Sequence, residues 1–263
     1  MQDNIIKLED IHLSFGERTI FKDLSISIPT GKITAILGPS GSGKTTLLRL
    51  LSGQIIPQAG RVELMGENVG MISESSLYDI RTKMGVLFQS GALFTDMTVY
   101  DNVAFALREH TKLDESMINT LVLLKLQSVG LRALKDYYPS QLSGGQARRA
   151  ALARAIALDP ALLLYDEPFA GQDPISMSVL IRLIKNLNDA LKITSVVISH
   201  DVEEVLSIAD NVCILGEGRI ITQGTPDDIR HHEDPWVKQF INGDSDGPVP
   251  FHIPTQPLEE VLF

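Results

Sequence analysis

Residues Gly38-Pro39-Ser40-Gly41-Ser42-Gly43-Lys44-Thr45 constrain this chain more than any other feature. They fit the spacing G-x-x-x-x-G-K-[ST]. They stand between an apolar run at 34–37 that reads as a strand and a run at 46–51, opening on Thr46, that reads as a helix. Glycines at this spacing let a backbone wrap phosphate oxygens with its N–H groups, and the helix N-terminus behind them adds a positive partial charge. Lys44 is placed to reach the outer phosphates of a nucleoside triphosphate, and the Thr45 hydroxyl to reach Mg²⁺.

A loop of this kind belongs in an α/β fold, and the rest of the chain agrees. Apolar runs at 5–8, 24–28, 34–37, 162–165 and 195–198 are bounded by Gly, Pro and charged residues; those apolar throughout read as buried parallel strands. Helical patterns lie between them, which predicts a sheet with helices on both faces. The first thirty or so residues hold strand candidates and no helix, so a small antiparallel β layer is expected beside the main sheet. From about 93 to 140 the strands stop. Asp114 caps a helix with Met117, Ile118, Leu121, Val122 and Leu124 at helical spacing, and Gly130 ends it, which reads as an inserted helical lobe. Runs at 212–215 and 219–223 flank Gly216-Glu217-Gly218 as a hairpin, and Thr225-Pro226 opens a further helix. The expected organisation is one domain over 1–243 with the lobe inside it, then an extended tail over 244–263 with prolines at 248, 250, 254 and 257.

Composition removes several classes of function. With 44% hydrophobic and 21% charged residues the chain can bury a large core, and a disordered protein is excluded. A net charge of -10 argues against a general nucleic-acid binder, which needs a basic face. The lone Cys213, inside the apolar run 212–215, excludes an internal disulfide, fits a reducing cytosol and reads as a small buried hydrophobe. No run reaches the roughly 18 apolar residues of a membrane span. Residues 1–9 are too acidic and too short of apolar core for a signal peptide, so membrane work is expected to pass through a partner.

A phosphate-binding loop needs a carboxylate near its metal, and Asp166-Glu167 closes the strand at 162–165. Asp166 reads as a Mg²⁺ ligand, direct or through water. Glu167 reads as the group that orients or deprotonates the attacking water at the γ-phosphate. At 142–146 the chain reads Leu-Ser-Gly-Gly-Gln. Ser143 and Gln146 form a capping box opening a helix that Pro160 is expected to stop, while Gly144 and Gly145 weaken its first turn and suit a backbone that approaches a ligand.

Taken together, these residues resemble the ABC ATPase family, whose signature LSGGQ stands at 142–146; the resemblance runs from about residue 5 to 242. It implies a P-loop NTPase (RecA-like) core that uses ATP and Mg²⁺. Within that resemblance Phe15 is similar to the aromatic that stacks on adenine, and Gln89 to the Q-loop glutamine that senses Mg²⁺ and γ-phosphate. His200 is similar to the switch histidine at the γ-phosphate, and Asp173 to the D-loop aspartate. The signature Ser143–Gly144–Gly145–Gln146 of one chain, through Ser143 and Gly145, is implied to complete the ATP site of a second copy, so a head-to-tail homodimer is expected. Leu93, Phe94, Met97 and Tyr100 are candidates for a groove that docks a membrane subunit, or for lobe core.

Finer resemblance points to a cargo. The runs 88–99, 166–174 and 246–251 resemble the ATPases of MCE-type lipid transport systems. That implies phospholipid traffic between the inner and outer membranes of a Gram-negative bacterium, with this chain peripheral on the cytoplasmic face of the inner membrane. The implied partners are an integral-membrane permease, an MCE-domain protein and a small STAS-domain protein. An ATPase subunit of another ABC importer or exporter, or an ABC ATPase that signals through a membrane partner, would share the catalytic motifs. The tail carries Val249, Phe251, Ile253, Leu258, Val261, Leu262 and Phe263, too apolar for a purely solvated end, and is expected to pack on the second copy.

Overall fold

The computed structural model describes residues 3–249 of the chain. The proposed packing of the tail beyond 249 therefore lies outside the described residues. Two sheets form the centre. One is antiparallel, in the order β2-β1-β4-β5, from β1 (Asn4–Phe15), β2 (Arg18–Pro29), β4 (Ala59–Leu64) and β5 (Glu67–Asn68). The other has the order β10-β9-β3-β8-β7-β6, from β3 (Ile33–Leu37), β6 (Met84–Leu87), β7 (Leu162–Asp166), β8 (Thr194–Ser199), β9 (Asn211–Gly216) and β10 (Arg219–Gly224). Strands β9, β3, β8, β7 and β6 run parallel, and β10 joins antiparallel. Their carboxyl ends consequently share one edge, where ligands of open α/β sheets bind.

The continuous apolar runs become strands buried on both sides, as parallel strands require; every residue of β3 and β8 is buried. Alternate side chains serve two different cores. Ile36, Leu162, Leu164, Val196, Ile198, Cys213 and Leu215 face the antiparallel sheet and α1 (Lys44–Leu51). Ala35, Leu37, Leu163, Tyr165, Val197 and Ile214 face the helices that follow the loop after β6. One face is thus covered mainly by β structure, where helices on both faces were expected. The expected antiparallel layer is there and is wide enough to occupy that side. Cys213 is fully buried, and desolvation pushes its thiol up to about 12.

The helices are α2 (Glu74–Arg81), α3 (Val99–His110), α4 (Glu115–Ser128), α5 (Gly144–Ala155), α6 (Pro174–Leu191), α7 (Val202–Leu206), α8 (Pro226–Arg230) and α9 (Pro235–Asn242). Asp114 caps α4 by accepting from Met117 N–H, and Thr225 caps α8 with Pro226 at its first position. Helix α5 stops at Ala155, well ahead of Pro160. Gly85 of β6 lies so close beneath the end of α5 that a Cβ there would stand 2.3 Å from Ala155 O. The chain then turns through Asp159 (φ 50) into β7. The 216–218 hairpin closes β9 on β10 with Glu217 (φ 50) and Gly218 (φ 73) both left-handed, the two-residue turn that matches strand twist. Among the described residues, no helix is long and apolar enough to cross a membrane.

Candidate active site

The loop between β3 and α1 opens a cleft of about 770 Å³ at the carboxyl edge of the parallel sheet. Ser40, Gly41, Ser42, Gly43, Lys44, Thr45 and Thr46 form its floor. Gly43 caps α1 in a left-handed conformation (φ 100) with no side chain bonded to the helix start, so no side-chain cap covers the first N–H groups of α1. Gly38 is fixed by crowding: a Cβ there would lie 2.3 Å from Leu215 O and 2.9 Å from Ser42 Oγ. Ser42 Oγ is itself buried without a hydrogen-bond partner among the described residues. Gly38 and Pro39 contribute carbonyls rather than cleft wall. Lys44 Nζ donates to Gly38 O at 2.8 Å and to Pro39 O at 3.2 Å, and stands 3.8 Å from Glu167 Oε1.

Neighbouring strands bring the remaining polar groups to the same place. β8 lies between β3 and β7, so His200, just past β8, meets Asp166 and Glu167 at the end of β7. Glu167 sits at φ 45, and its Oε2 accepts from the His200 backbone N–H at 3.2 Å and pairs with His200 Nδ1 at 2.8 Å. Such left-handed strain at a non-glycine residue persists where surrounding bonds hold it, here also Glu167 N–H donating to Ile198 O at 2.9 Å. Gln89, two residues past the end of β6, lines the cleft together with Glu167 and His200. Asp201 stands beside them, its Oδ1 3.9 Å from His200 Nε2. Glu167, His200 and Asp201 are close enough to share a cation, but Glu167 and His200 already satisfy each other.

Charge is finely opposed here. Burial holds the Lys44 ammonium below its usual pKa, against the pull of Glu167 and Asp166. Burial, then the adjacent Glu167 carboxylate, push Asp166 above the usual carboxylate range, against Lys44 and Arg49. A half-buried carboxylate that resists ionisation beside a second carboxylate favours a bound cation. Thr45 and Gln89 line the cleft, while Asp166 does not and lies beside Glu167 and Lys44; hydroxyl, amide and carboxylate oxygens are the donors a hard divalent ion such as Mg²⁺ takes, so their chemistry fits one.

At the other end of the cleft lies Phe15, half exposed at the end of β1. Arg18, Thr19 and Ile20 of β2 and Glu217 and Gly218 of the β9–β10 hairpin line the cleft there, and sequence reasoning misses all five. The only signal is the hairpin turn, which says nothing of where its tip rests. In the fold the tip is pinned on β2, with Lys22 N–H donating to Gly218 O at 3.2 Å.

The signature residues lie elsewhere. Ser143, Gly144, Gly145, Gln146 and Asp173 do not line this cleft. Ser143 caps α5 through the expected box, with Ser143 N–H donating to Gln146 Oε1 at 2.8 Å. Gly145 is a glycine for a reason inside the chain: a Cβ there would stand 2.4 Å from Ser176 Oγ of α6. Of the two, only Gly144 has open space above it, while helix packing by itself accounts for a glycine at 145. Asp173 caps α6, accepting from the Ile175 and Ser176 N–H groups, both at 3.0 Å. Hydrogen bonding by the Ser176 side chain first, and then those backbone bonds, hold its carboxyl below the usual range.

This sheet edge, with its glycine loop, lysine, carboxylate pair and histidine, defines a phosphate-loop nucleoside triphosphatase. Comparison with known proteins narrows that class: the ABC transporter family profile matches residues 21–170. The chain belongs to the ABC transporter family, as an ATP-hydrolysing subunit. It is 53% identical over 263 residues, all of both chains, to the intermembrane phospholipid transport system ATP-binding protein MlaF of Haemophilus influenzae. Among solved structures it is similar to cbiO1 of Clostridium perfringens, part of the ABC transporter complex cbiONQ. The TM-score is 0.82 at 32% identity, covering 88% of this chain and 92% of that one. A second is a dimeric post-hydrolysis state of the ATP-binding cassette MJ0796 bound to ADP and Pi, with TM-score 0.77 at 28% identity, covering 84% of this chain and 98% of that one.

Proposed function

We propose that this chain energises intermembrane phospholipid transport, as the ATPase of a system like the one named for its MlaF relative. The observation that carries the catalytic part is the convergence of Lys44, Gln89, Glu167 and His200 on one cleft at the carboxyl edge of the sheet. Full-length identity of 53% to MlaF supports the phospholipid cargo. Two copies work head to tail on the cytoplasmic face of the bacterial inner membrane. An MlaE-like permease holds them there, with an MlaD-like MCE protein and a small MlaB-like STAS protein as further partners.

In this reading Phe15 stacks on adenine, and the loop from Gly38 through Thr46 wraps the phosphates with backbone N–H groups at the start of α1. Lys44 exchanges its bonds to Gly38 O and Pro39 O for bonds to phosphate oxygens. Thr45, Gln89 and Asp166 would hold Mg²⁺, which when bound would neutralise charge on the outer phosphates. Glu167 Oε2, held by His200, orients the attacking water and accepts its proton. Ser143 and Gly145 of the second copy, with Gly144, Gln146 and the cap residue Asp173 beside them, bring the α5 N-terminus to the γ-phosphate and complete the site. The experiment is co-expression with the permease and the MCE protein, then ATP-driven phospholipid transfer between vesicles. Transfer should occur, and should vanish with Glu167→Gln. An assembled complex that hydrolyses ATP without moving phospholipid would overturn the cargo.

A further inference from the structure

Helix α5 carries arginines whose charges are met by carbonyls rather than carboxylates. Arg148 is 8% exposed, and no acidic side chain pairs with it among the described residues. Its guanidinium instead donates to Phe88 O at 3.0 Å, to Gln89 O, and to Ala170 O at 3.2 Å. Arg154, two turns on, donates to Ala92 O at 2.6 Å and Gly91 O at 2.9 Å. One side of α5 therefore grips the backbone that runs out of β6 through Gln89, and Arg148 alone also grips the turn between Glu167 and Asp173. Its own helix begins at Ser143. A single buried fork thus spans three segments that border the site: the signature helix, the backbone of Gln89 and the turn after Glu167.

Burying a guanidinium without a counter-charge is costly, and five fixed donors in a plane suit three carbonyls from two segments as a lysine cannot. Fold stability alone would be served as well by an apolar side chain packed on α3 and β6. What the guanidinium adds is geometry: the carbonyl of Gln89 cannot move without moving Arg148, and with it α5 and Ala170. We infer that Arg148 is a positioning residue for ATP hydrolysis, setting the Gln89 backbone relative to the signature helix and the Ala170 turn so that Gln89 reaches the γ-phosphate end of the cleft. The inference rests on the role given to Gln89 above.

The test is a double-variant cycle on the full-length chain, reading kcat and KM for ATP, with thermal unfolding as the control for folding. Arg148→Met should lower kcat roughly 10- to 100-fold while KM for ATP shifts less than about threefold, because misplacement of a catalytic group costs turnover and leaves the phosphate cradle intact. Arg148→Lys, which keeps the charge and reaches fewer carbonyls, should recover part of the loss. Gln89→Ala added to Arg148→Met should cost little beyond the slower single variant, since a misplaced Gln89 has little left to lose. Multiplied losses in the double variant, or wild-type kcat in Arg148→Met, would overturn the link. Wild-type turnover by Gln89→Ala alone sinks the role given to Gln89 and the inference with it, a failure visible in that single variant. Should Arg148→Met not fold, the same cycle is run with Arg148→Lys, where additive losses again break the link.

Discussion

Lys44 is held by its own loop, bonded to Gly38 O and Pro39 O with Glu167 just beyond bonding distance. Phosphate oxygens compete for the same ammonium, and each charge-assisted bond is worth about 1.5–3 kcal/mol. Lys44→Ala is therefore expected to weaken ATP binding roughly 10- to 100-fold, checked by equilibrium titration with a fluorescent ATP analogue. Asp166 gives a pH-dependent prediction. Folding raises its pKa, so its charge costs stability in full above the folded pKa; the cost fades as pH falls through that pKa and is gone below about 3.9, the value for a free aspartate. Asp166→Asn should raise the melting temperature at pH 7, and the gain should shrink toward zero in acid. An unchanged or lower melting temperature at pH 7 would count against that burial penalty. Lys44, Asp166 and Glu167 were legible in sequence because the chemistry of a phosphate loop dictates residue type next to strand ends, whereas Gln89 and His200 were legible only through the family resemblance. Arg18 and Glu217 were not, because a hairpin tip resting on β2 is a tertiary fact. Nor was the role of Gly145, which depends on how closely α6 approaches α5.

At the scale of elements, β3, β7 and β8 were readable because parallel strands buried on both faces must be apolar throughout. β1 was readable only at its start: Asp10 (φ 48) inserts a bulge between Leu8 and Ile11 and breaks the alternation. Helix α3 was not legible. Its buried Val99, Val103, Ala104 and Leu107 share the helix with the exposed Phe105, which blurs the face. Of the four residues proposed for a docking groove, only Phe94 lines a second cleft, separate from the catalytic one, beside Phe88 and Phe105, whereas Leu93 and Tyr100 pack against the core. What sets that segment is Asn102 of α3, fully buried, which accepts from Phe94 N–H at 2.9 Å and donates to Phe94 O at 3.0 Å and Thr98 O at 3.0 Å. Asn102→Ala removes those bonds and leaves Phe94 N–H without its acceptor, while Thr98 O keeps the Asn102 backbone N–H, and should cost roughly 1–3 kcal/mol in urea unfolding. A loss within about 0.5 kcal/mol, the range of an ordinary surface change, would show that the clamp is dispensable.

At the scale of the whole molecule, the catalytic cleft and the signature residues occupy separate places in one chain. Each copy therefore supplies half of two sites in the proposed dimer, an arrangement in keeping with the dimeric MJ0796 cassette. Mixing Lys44→Ala chains with Ser143→Ala chains should rebuild one intact site per mixed dimer, so ATPase activity should exceed that of either variant alone. A mixture no more active than its parts would count against sites shared in this way. The most direct measurement is sedimentation velocity of Glu167→Gln with and without ATP and Mg²⁺, with turnover assayed on the same sample. The substitution leaves the phosphate cradle and the signature helix intact and removes the group proposed to activate water. The expected result is a monomer that becomes a stable dimer on adding ATP, with turnover lowered roughly 10²–10⁴-fold. A variant that stays monomeric with ATP, or hydrolyses it near the wild-type rate, would contradict a shared site fired by Glu167.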